Sequence, residues 1–271
     1  RFPTLFNCIT AFTAMLTILL SNNVAAQISM TATPTSYSQN FDGLSATSPS
    51  GNVTWTDNVT IPGWFTNQSN YRTWSTGDAN PSNRIWACGS VLGNTDRALG
   101  SIMTSTTLRS WGVKLTNTTG VTMAAIGIGF DAERYYSIGT GADFLVQYST
   151  TGAIDDAITS TSWTSIATVT TPSTGLNYTL SGLNLANGAT VTVRWISAYA
   201  GSSSNVSLWA TDNFTASWGL PAVTTVSANQ TGQTTATGNG NITSTGGFAS
   251  LVASGFCYSS TVAIPTIADS K

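Results

Sequence analysis

The sequence predicts an all-β fold, and three observations carry that prediction. Only 7% of the residues are charged while 41% are hydrophobic, so Ser, Thr, Asn and Gly must solvate most of the surface. Small polar and β-branched residues suit the outer face of a strand, and Gly and Asn suit its turns. Charged helix formers are nearly absent, since the only Lys and Glu residues are Lys114, Lys271 and Glu133.

The first 26 residues have the order of an export signal. A short basic start at Arg1 precedes the apolar stretch Ile9–Leu20, and small residues, Val24-Ala25-Ala26, stand before Gln27. The apolar run is shorter than the ~20 residues of a comfortable membrane span. We therefore predict a signal peptide at 1–26 rather than an uncleaved anchor. The mature chain is expected to be secreted, extracellular or on the cell surface, with no membrane insertion after signal cleavage.

Residues 27–218 alternate short apolar runs with turn residues, which is typical of a β-sandwich. A single antiparallel sheet of this size could not cover its own apolar face. In Thr190–Trp195, apolar and polar residues alternate with period two, so one set of side chains points inward. Asn187-Gly188 is typical of a β-hairpin turn. The predicted strands include Val113–Leu115, Ala125–Phe130, Phe144–Tyr148, Ser165–Val169, Val191–Ser197 and Phe214–Trp218.

A second unit is predicted at 219–271, after a boundary near Gly219-Leu220-Pro221. It is rich in Thr, Ser, Gly and Asn and is shorter than the ~100 residues of a complete immunoglobulin-like sandwich. Because the sequence begins with Arg1 and ends at Lys271 without a closing strand, we expect it to be part of a longer protein.

Ordered motifs across 27–218 give a first resemblance. The motifs are Tyr37–Leu44, Ile61-Pro62-Gly63-Trp64, Arg97–Ser101, Lys114–Gly120, Phe130–Arg134, Asp143-Phe144-Leu145 and Ala210–Phe214. This order resembles a jelly-roll module of large secreted proteins of Bacteroidetes-type bacteria, and it is distantly similar to cleaved-adhesin and MAM domains. The resemblance implies a jelly-roll sandwich.

A second resemblance covers Gly238–Lys271. Gly255–Ser259 and Pro265-Thr266-Ile267 are similar to the first half of a fibronectin type III-like repeat of the same group of secreted proteins. The resemblance implies a partial Ig/fibronectin-III-like β-domain at 219–271, with a spacer or adhesion role. It also implies that Cys257 is a core strand residue.

The chain lacks the residues of most hydrolytic sites. There is no His, which excludes Ser-His-Asp and Cys-His arrangements and His-ligated metals. A Ser-Lys pair would need a buried Lys114. Asp131 and Glu133 would lie ~7 Å apart on one strand face, within reach of glycosidase chemistry. We nevertheless predict no enzymatic activity in this segment, while a catalytic domain elsewhere in a longer protein stays open.

The charge of the chain argues against two classes of partner and leaves one metal open. The formal net charge is −2 without a basic stretch, so duplex nucleic acid and anionic membranes are not expected as partners. Calcium binds oxygen ligands alone, and Asp42 and Asp212 lie near the first and last strands of the predicted sandwich. These strands commonly run side by side in a jelly roll, so we predict a structural Ca²⁺ site there. The resemblance to adhesin-like families also implies such an ion, whereas turn or hydrogen-bonding roles are the alternative for both residues.

Aromatic residues predict a ligand site. Sugar-binding modules stack pyranose faces on exposed aromatics and fix hydroxyls with polar side chains. Such residues concentrate between Trp64 and Trp86, in a segment that we expect to be a long loop or short strands. The candidate ligand contacts are Trp74, Trp86, Tyr71, Arg72 and Arg84, with packing as the alternative for the two Trp residues. Trp111 and Trp195 fit inward core positions.

The predicted function is a non-catalytic binding or adhesion module with a glycan or another cell-surface component as partner. The alternatives are a structural spacer or stalk, and an accessory module of a larger secreted hydrolase. Outside the signal segment the cysteines are Cys88 and Cys257, for which either a bridge or two free thiols is possible.

Overall fold

The computed structural model describes residues 27–33, 35–46, 51–76, 81–91, 93–219, 222–230, 236–244, 255–259 and 261. The predicted signal peptide lies outside these residues. In chain order the strands are β1 (Ile28–Met30), β2 (Ser36–Gln39), β3 (Val53–Thr54), β4 (Trp64–Thr66), β5 (Asn70–Ser75), β6 (Arg84–Gly89), β7 (Ala98–Ile102), β8 (Ser110–Asn117), β9 (Met123–Ile138), β10 (Phe144–Ser149), β11 (Thr164–Val169), β12 (Ser173–Leu185), β13 (Thr190–Ser197), β14 (Val206–Ser217), β15 (Ala222–Gln230) and β16 (Ala236–Ser244).

Two sheets form a sandwich, which confirms the predicted all-β class. The six-stranded sheet has the order β1-β8-β13-β10-β11, with β4 also paired to β8. The eight-stranded sheet has the order β12-β9-β14-β7-β6-β5-β3, with β2 also paired to β14. Neighbouring strands are antiparallel except for β1 with β8 and β5 with β6, which are parallel. The described residues contain no helix with the length and hydropathy of a membrane span.

Aromatic side chains fill the space between the sheets. Trp64 of β4 stacks on Trp195 of β13 with ring centroids 5.6 Å apart, and Phe214 of β14 meets Trp64 edge-on at 5.3 Å. Trp111 and Trp195 are fully buried, as the sequence predicts. Each such ring removes roughly 150–250 Å² from water and anchors one sheet to the other.

The Asn187-Gly188 turn does not close a hairpin, so that prediction is wrong. Gly188 has a φ of 85° and the chain reverses there, but β12 belongs to the eight-stranded sheet and β13 to the six-stranded sheet. Asn117 of β8 holds the turn, since its carbonyl accepts the Gly188 N–H at 2.6 Å. Its side-chain amide also donates to the Leu185 carbonyl at 2.8 Å. A turn sequence permits the reversal, and the partners of each strand decide which sheet it joins.

Beyond the sandwich, the described residues of the second unit form the antiparallel pair β15–β16. The ring of Phe256 lies over Gly238, where an added Cβ would come within 3.2 Å of it. The domain boundaries and the partial fibronectin-III-like domain stay predictions. Cys88 is a buried free thiol and Cys257 is a partly buried free thiol. Of the two alternatives, the structure therefore has two free thiols rather than a bridge.

Candidate functional site

The eight-stranded sheet has two different faces. Tyr71, Ile85 and Leu99 belong to the main core between the sheets. Because side chains alternate along a strand, their neighbours in sequence point the other way, to what we call the outer face. A second apolar cluster covers part of that face, formed by Trp74, Trp86, Cys88, Ala98, Ile102, Val206, Leu208 and Ala210, with Tyr135 and Tyr136 packed against it.

The outer face brings together four of the five predicted ligand residues. Arg72 and Trp74 alternate along β5, and Arg84 and Trp86 alternate along β6. The parallel register sets Arg72 opposite Trp86. Tyr71 is the exception, because it lies in the core on the inner face and its hydroxyl accepts the Ser45 N–H at 3.2 Å.

Both predicted tryptophans are buried on this face. Trp74 is 3% exposed and Trp86 is 5% exposed. The Trp74 ring meets Tyr135 and Tyr136 edge-on, with centroids 6.0 and 6.5 Å apart. The indole N–H of Trp86 donates to the Ser82 carbonyl at 3.1 Å. Both rings therefore have a packing role in this structure, and their contact with a ligand stays a prediction.

An open pocket lies beside this cluster, at one end of the outer face. Its volume is about 680 Å³. Residues 132–135 of strand β9, the first residues of β12 and the polar side chains of the β6–β7 connection contribute to it. The lining residues are Ser90, Asp96, Ala132, Glu133, Arg134, Tyr135, Pro172, Ser173 and Thr174.

The Glu133 carboxyl group of the pocket has a perturbed pKa. Burial raises the pKa of Glu133, and the charges of Asp96 and Asp131 raise it further. The Tyr135 hydroxyl donates a hydrogen bond to Glu133, and burial raises the pKa of that phenol as well. The pocket thus offers a fixed carboxylate acceptor beside an aromatic ring, with serine and threonine hydroxyls across from them.

Asp131 is not an acceptor of this pocket, although the sequence predicts that it lies on the same strand face as Glu133. Its carboxylate accepts the Gly175 N–H at 2.6 Å and the Asn213 side-chain amide at 2.9 Å. These bonds tie β9 to β12 and β14, so Asp131 has a structural function.

The two predicted calcium ligands lie at the same end of the sheet. Strand β2 pairs with β14, so Asp42 follows one strand near Asp212 of the other. Asp212 is 4% exposed. Burial raises its pKa to about 7, helped by the charges of Glu133, Asp96 and Asp42, while the Asn213 N–H acts in the opposite sense.

Asp42 is already engaged by the protein. Its carboxylate accepts the backbone N–H of Arg97 at 3.1 Å and the Asn40 side-chain amide at 2.6 Å. Within the described ranges no group of three or more His, Cys, Asp or Glu side chains is arranged to hold a metal. A cation between Asp42 and Asp212 would therefore draw its remaining ligands from neutral oxygens, which calcium accepts.

An arginine cluster occupies the opposite end of the outer face. Arg72 Nε and Arg84 Nη1 both donate to the side-chain oxygen of Asn52, at 2.8 and 3.0 Å. Arg109 lies beside them and donates to the Asn83 carbonyl at 3.1 Å. Arg72 and Arg84 are among the ligand residues predicted from the sequence, whereas Asn52 and Arg109, which are far from them in sequence, are not.

Comparisons with known proteins assign no family. No family model matches the chain, and no curated protein matches it. Among solved structures it is similar to the CBM22-1 xylan-binding domain from Paenibacillus barcinonensis Xyn10C, with 10% identity, 67% of this chain and 92% of that chain covered, and a TM-score of 0.37.

The chain is also similar to the K2 cleaved adhesin domain of Lys-gingipain, with 12% identity, coverage of 68% and 98%, and a TM-score of 0.36. A third similarity is to TmCBM61 in complex with beta-1,4-galactotriose, with 13% identity, coverage of 46% and 72%, and a TM-score of 0.25. Identities and TM-scores this low assign no ligand to this chain.

Proposed function

We propose that this chain is a non-catalytic glycan-binding module of an exported protein, and that the glycan binds in the open pocket beside Tyr135. One observation supports the proposal above all. A volume of about 680 Å³ is lined by an aromatic ring, two carboxylates and several hydroxyls, on the outer face of the eight-stranded sheet. Export rests on the sequence of residues 1–26.

The chemistry of this pocket suits a sugar better than an apolar ligand. Sugar hydroxyls donate to carboxylates and exchange hydrogen bonds with side-chain hydroxyls. Glu133 and Asp96 provide the first kind of partner, and Ser173 and Thr174 provide the second. The Tyr135 ring adds an apolar surface against which the C–H face of a pyranose can pack.

Binding without hydrolysis is supported by how Glu133 and two of the carboxylates near it are used. Glycoside hydrolysis needs two carboxyl groups that face one another across the scissile bond. Asp131 is held by Gly175 and Asn213, and Asp212 is buried. Glu133 accepts the Tyr135 hydroxyl, which favours its role as an acceptor.

Affinity electrophoresis of the whole chain against a set of polysaccharides tests the proposal. Glu133→Gln and Tyr135→Ala should each weaken retention by about tenfold or more, because each removes a direct ligand contact. Thr179→Ala is the matched control, since Thr179 is exposed on β12 outside the pocket.

Two outcomes would contradict this function. If the folded chain is retained by no glycan, the alternative of a spacer or stalk is favoured. If it releases reducing ends from a polysaccharide and Glu133→Gln abolishes that release, the site is hydrolytic.

We further propose a structural calcium ion at Asp42 and Asp212. The support is electrostatic: Asp212 is buried among like charges, and no described cationic side chain forms an ion pair with it. A bound cation would stabilise its ionised form. Thermal unfolding with Ca²⁺ and with EDTA tests this, and equal melting temperatures in the two buffers would contradict it.

A further inference from the structure

Two guanidinium groups are fixed side by side on the outer face by a single amide oxygen. Arg72 and Arg84 come from parallel neighbouring strands, and both donate to Asn52 Oδ1. Arg84 also donates to the Ser82 hydroxyl at 3.2 Å. Both arginines are partly exposed, so their remaining N–H groups can reach a ligand.

Arg109 adds a third positive charge to the cluster. Arg109 uses its Nε and Nη1 for the carbonyls of Asn83 and Leu108. In the part of the chain that the structure describes, no carboxylate pairs with Arg72, Arg84 or Arg109. Burial lowers the pKa of Arg84, and the charges of Arg72 and Arg109 lower it further.

The repulsion among these three arginines is an energetic cost that a bound anion would remove. A guanidinium group has five N–H donors in a planar fork, which matches the oxygens of a carboxylate or sulfate. Among the described residues, Arg72 donates a single hydrogen bond, to Asn52. The cluster is therefore preorganised for an oxyanion and is incompletely satisfied without one.

We propose that the arginine cluster of Arg72, Arg84 and Arg109 binds an acidic group, a uronate carboxylate or a sulfate ester, on the glycan that occupies the pocket near Tyr135. This inference rests on the proposed glycan-binding function and specifies the ligand class: a mainly neutral glycan with sparse acidic substituents.

The arrangement of charge on the outer face supports a glycan whose acidic groups are sparse rather than uniformly distributed. From Arg84 at the start of β6 to the pocket residue Ser90, one residue beyond the end of that strand, the chain spans ~20 Å at 3.3 Å per residue. The pocket end carries two acidic side chains, Glu133 and Asp96, against the cationic Arg134, so its charge disfavours a polyanion, whereas the other end carries the three arginines. A neutral segment therefore fits the pocket and an acidic group fits the cluster.

Nucleic acid suits this surface poorly. Neutralising a phosphate backbone takes an extended basic surface with many contacts. This face offers three clustered arginines and acidic side chains at its other end, on a chain of net charge −2.

Isothermal titration of the whole chain tests the inference with matched pairs of polymers. Glucuronoxylan is compared with its carboxyl-reduced form, and partially sulfated dextran with dextran. We expect the charged member of one pair to bind at least about tenfold more tightly, with an affinity that falls as salt increases. The pair that shows the preference identifies the carboxylate or the sulfate.

Variants tie that preference to the cluster. Arg84→Gln should abolish it, and Arg84→Lys should reduce it because Lys keeps the charge but not the fork. Lys114→Gln is the matched charge control, since Lys114 lies on the six-stranded sheet over the Phe65 ring. If Arg84→Gln melts much lower than the wild type, Arg72→Gln replaces it.

Each outcome decides between the two proposals. Equal affinity for charged and uncharged polymers, unchanged in Arg84→Gln but lost in Glu133→Gln, overturns the acidic ligand and leaves the glycan-binding function intact. No binding of any polymer by the folded wild type overturns both. Tighter, arginine-dependent binding of double-stranded DNA overturns the glycan as occupant of the cluster.

Discussion

Trp74 and Trp86 have the same burial but differ in one hydrogen bond, and this difference has a measurable consequence. The Trp86 indole N–H donates to the Ser82 carbonyl, whereas the Trp74 indole nitrogen is buried without a hydrogen-bond partner. We compare Trp74→Phe with Trp86→Phe, because Phe keeps a ring of similar position and removes the N–H.

The expected difference in stability between the two variants follows from the energetic contribution of the indole N–H at each position. A buried donor without a partner costs roughly 1–3 kcal/mol, so Trp74→Phe removes an unfavourable group while it loses some packing area. Trp86→Phe loses both area and a hydrogen bond, and it leaves the Ser82 carbonyl with one partner fewer. We therefore expect Trp86→Phe to destabilise the fold by about 2 kcal/mol more than Trp74→Phe.

Guanidinium-induced unfolding followed by circular dichroism gives both values from shifts of the midpoint at constant slope. In thermal unfolding the same difference corresponds to roughly 4–8 °C for a domain of this size. The Trp→Ala variants serve as a reference, since each should cost about 3–5 kcal/mol. The reasoning is refuted if Trp74→Phe is as destabilising as Trp86→Phe, or more so.

Three further predictions concern other parts of the molecule. Gly100→Ala should destabilise the fold by about 2–3 kcal/mol in denaturant unfolding, because the added Cβ would overlap the backbone of Trp209. An unchanged unfolding midpoint would contradict this prediction. Arg194→Leu should cost at least about 2–3 kcal/mol, because the buried Arg194 donates twice to Gln147 and also to loop carbonyls, and Leu leaves these acceptors without that donor. Retained resistance of residues 150–163 to proteolysis would argue against it. The folded pKa of Glu133 lies above its unfolded value, so its stabilising contribution is complete below the unfolded pKa and is lost as the pH rises through the folded pKa. The melting temperature of Glu133→Gln should therefore rise relative to that of the wild type as the pH increases from 4 to 7. A pH-independent difference between the two melting temperatures would show that the pKa of Glu133 is unperturbed.

The strands of the sandwich were largely predictable because period-two alternation reflects which side chains face the core. Val113–Leu115 lies within β8, Phe144–Tyr148 within β10 and Val191–Ser197 within β13. Their partners were not predictable. Asn187-Gly188 marks a reversal correctly, yet it joins strands of two different sheets, because strand pairing depends on contacts distant in sequence.

The candidate site was predictable only in part, for the same reason. Arg72 and Arg84 are chemically suited to a ligand. The parallel pairing of β5 with β6 that brings them together, however, cannot be predicted from the local sequence. Tyr135 was missed because of an irregularity in β9. The register against β14 shifts between Leu208 and Trp209, which allows both Tyr135 and Tyr136 to pack on the outer cluster, against simple alternation.

The most direct test of the central claim is a chemical-shift map of the whole chain titrated with an oligosaccharide that it retains. Glycan binding in the pocket predicts that the largest amide shifts fall on Ser90, Asp96, Glu133–Tyr135 and Ser173–Thr174. Shifts confined to the six-stranded sheet, or the absence of saturable shifts with every glycan, would contradict the proposed site.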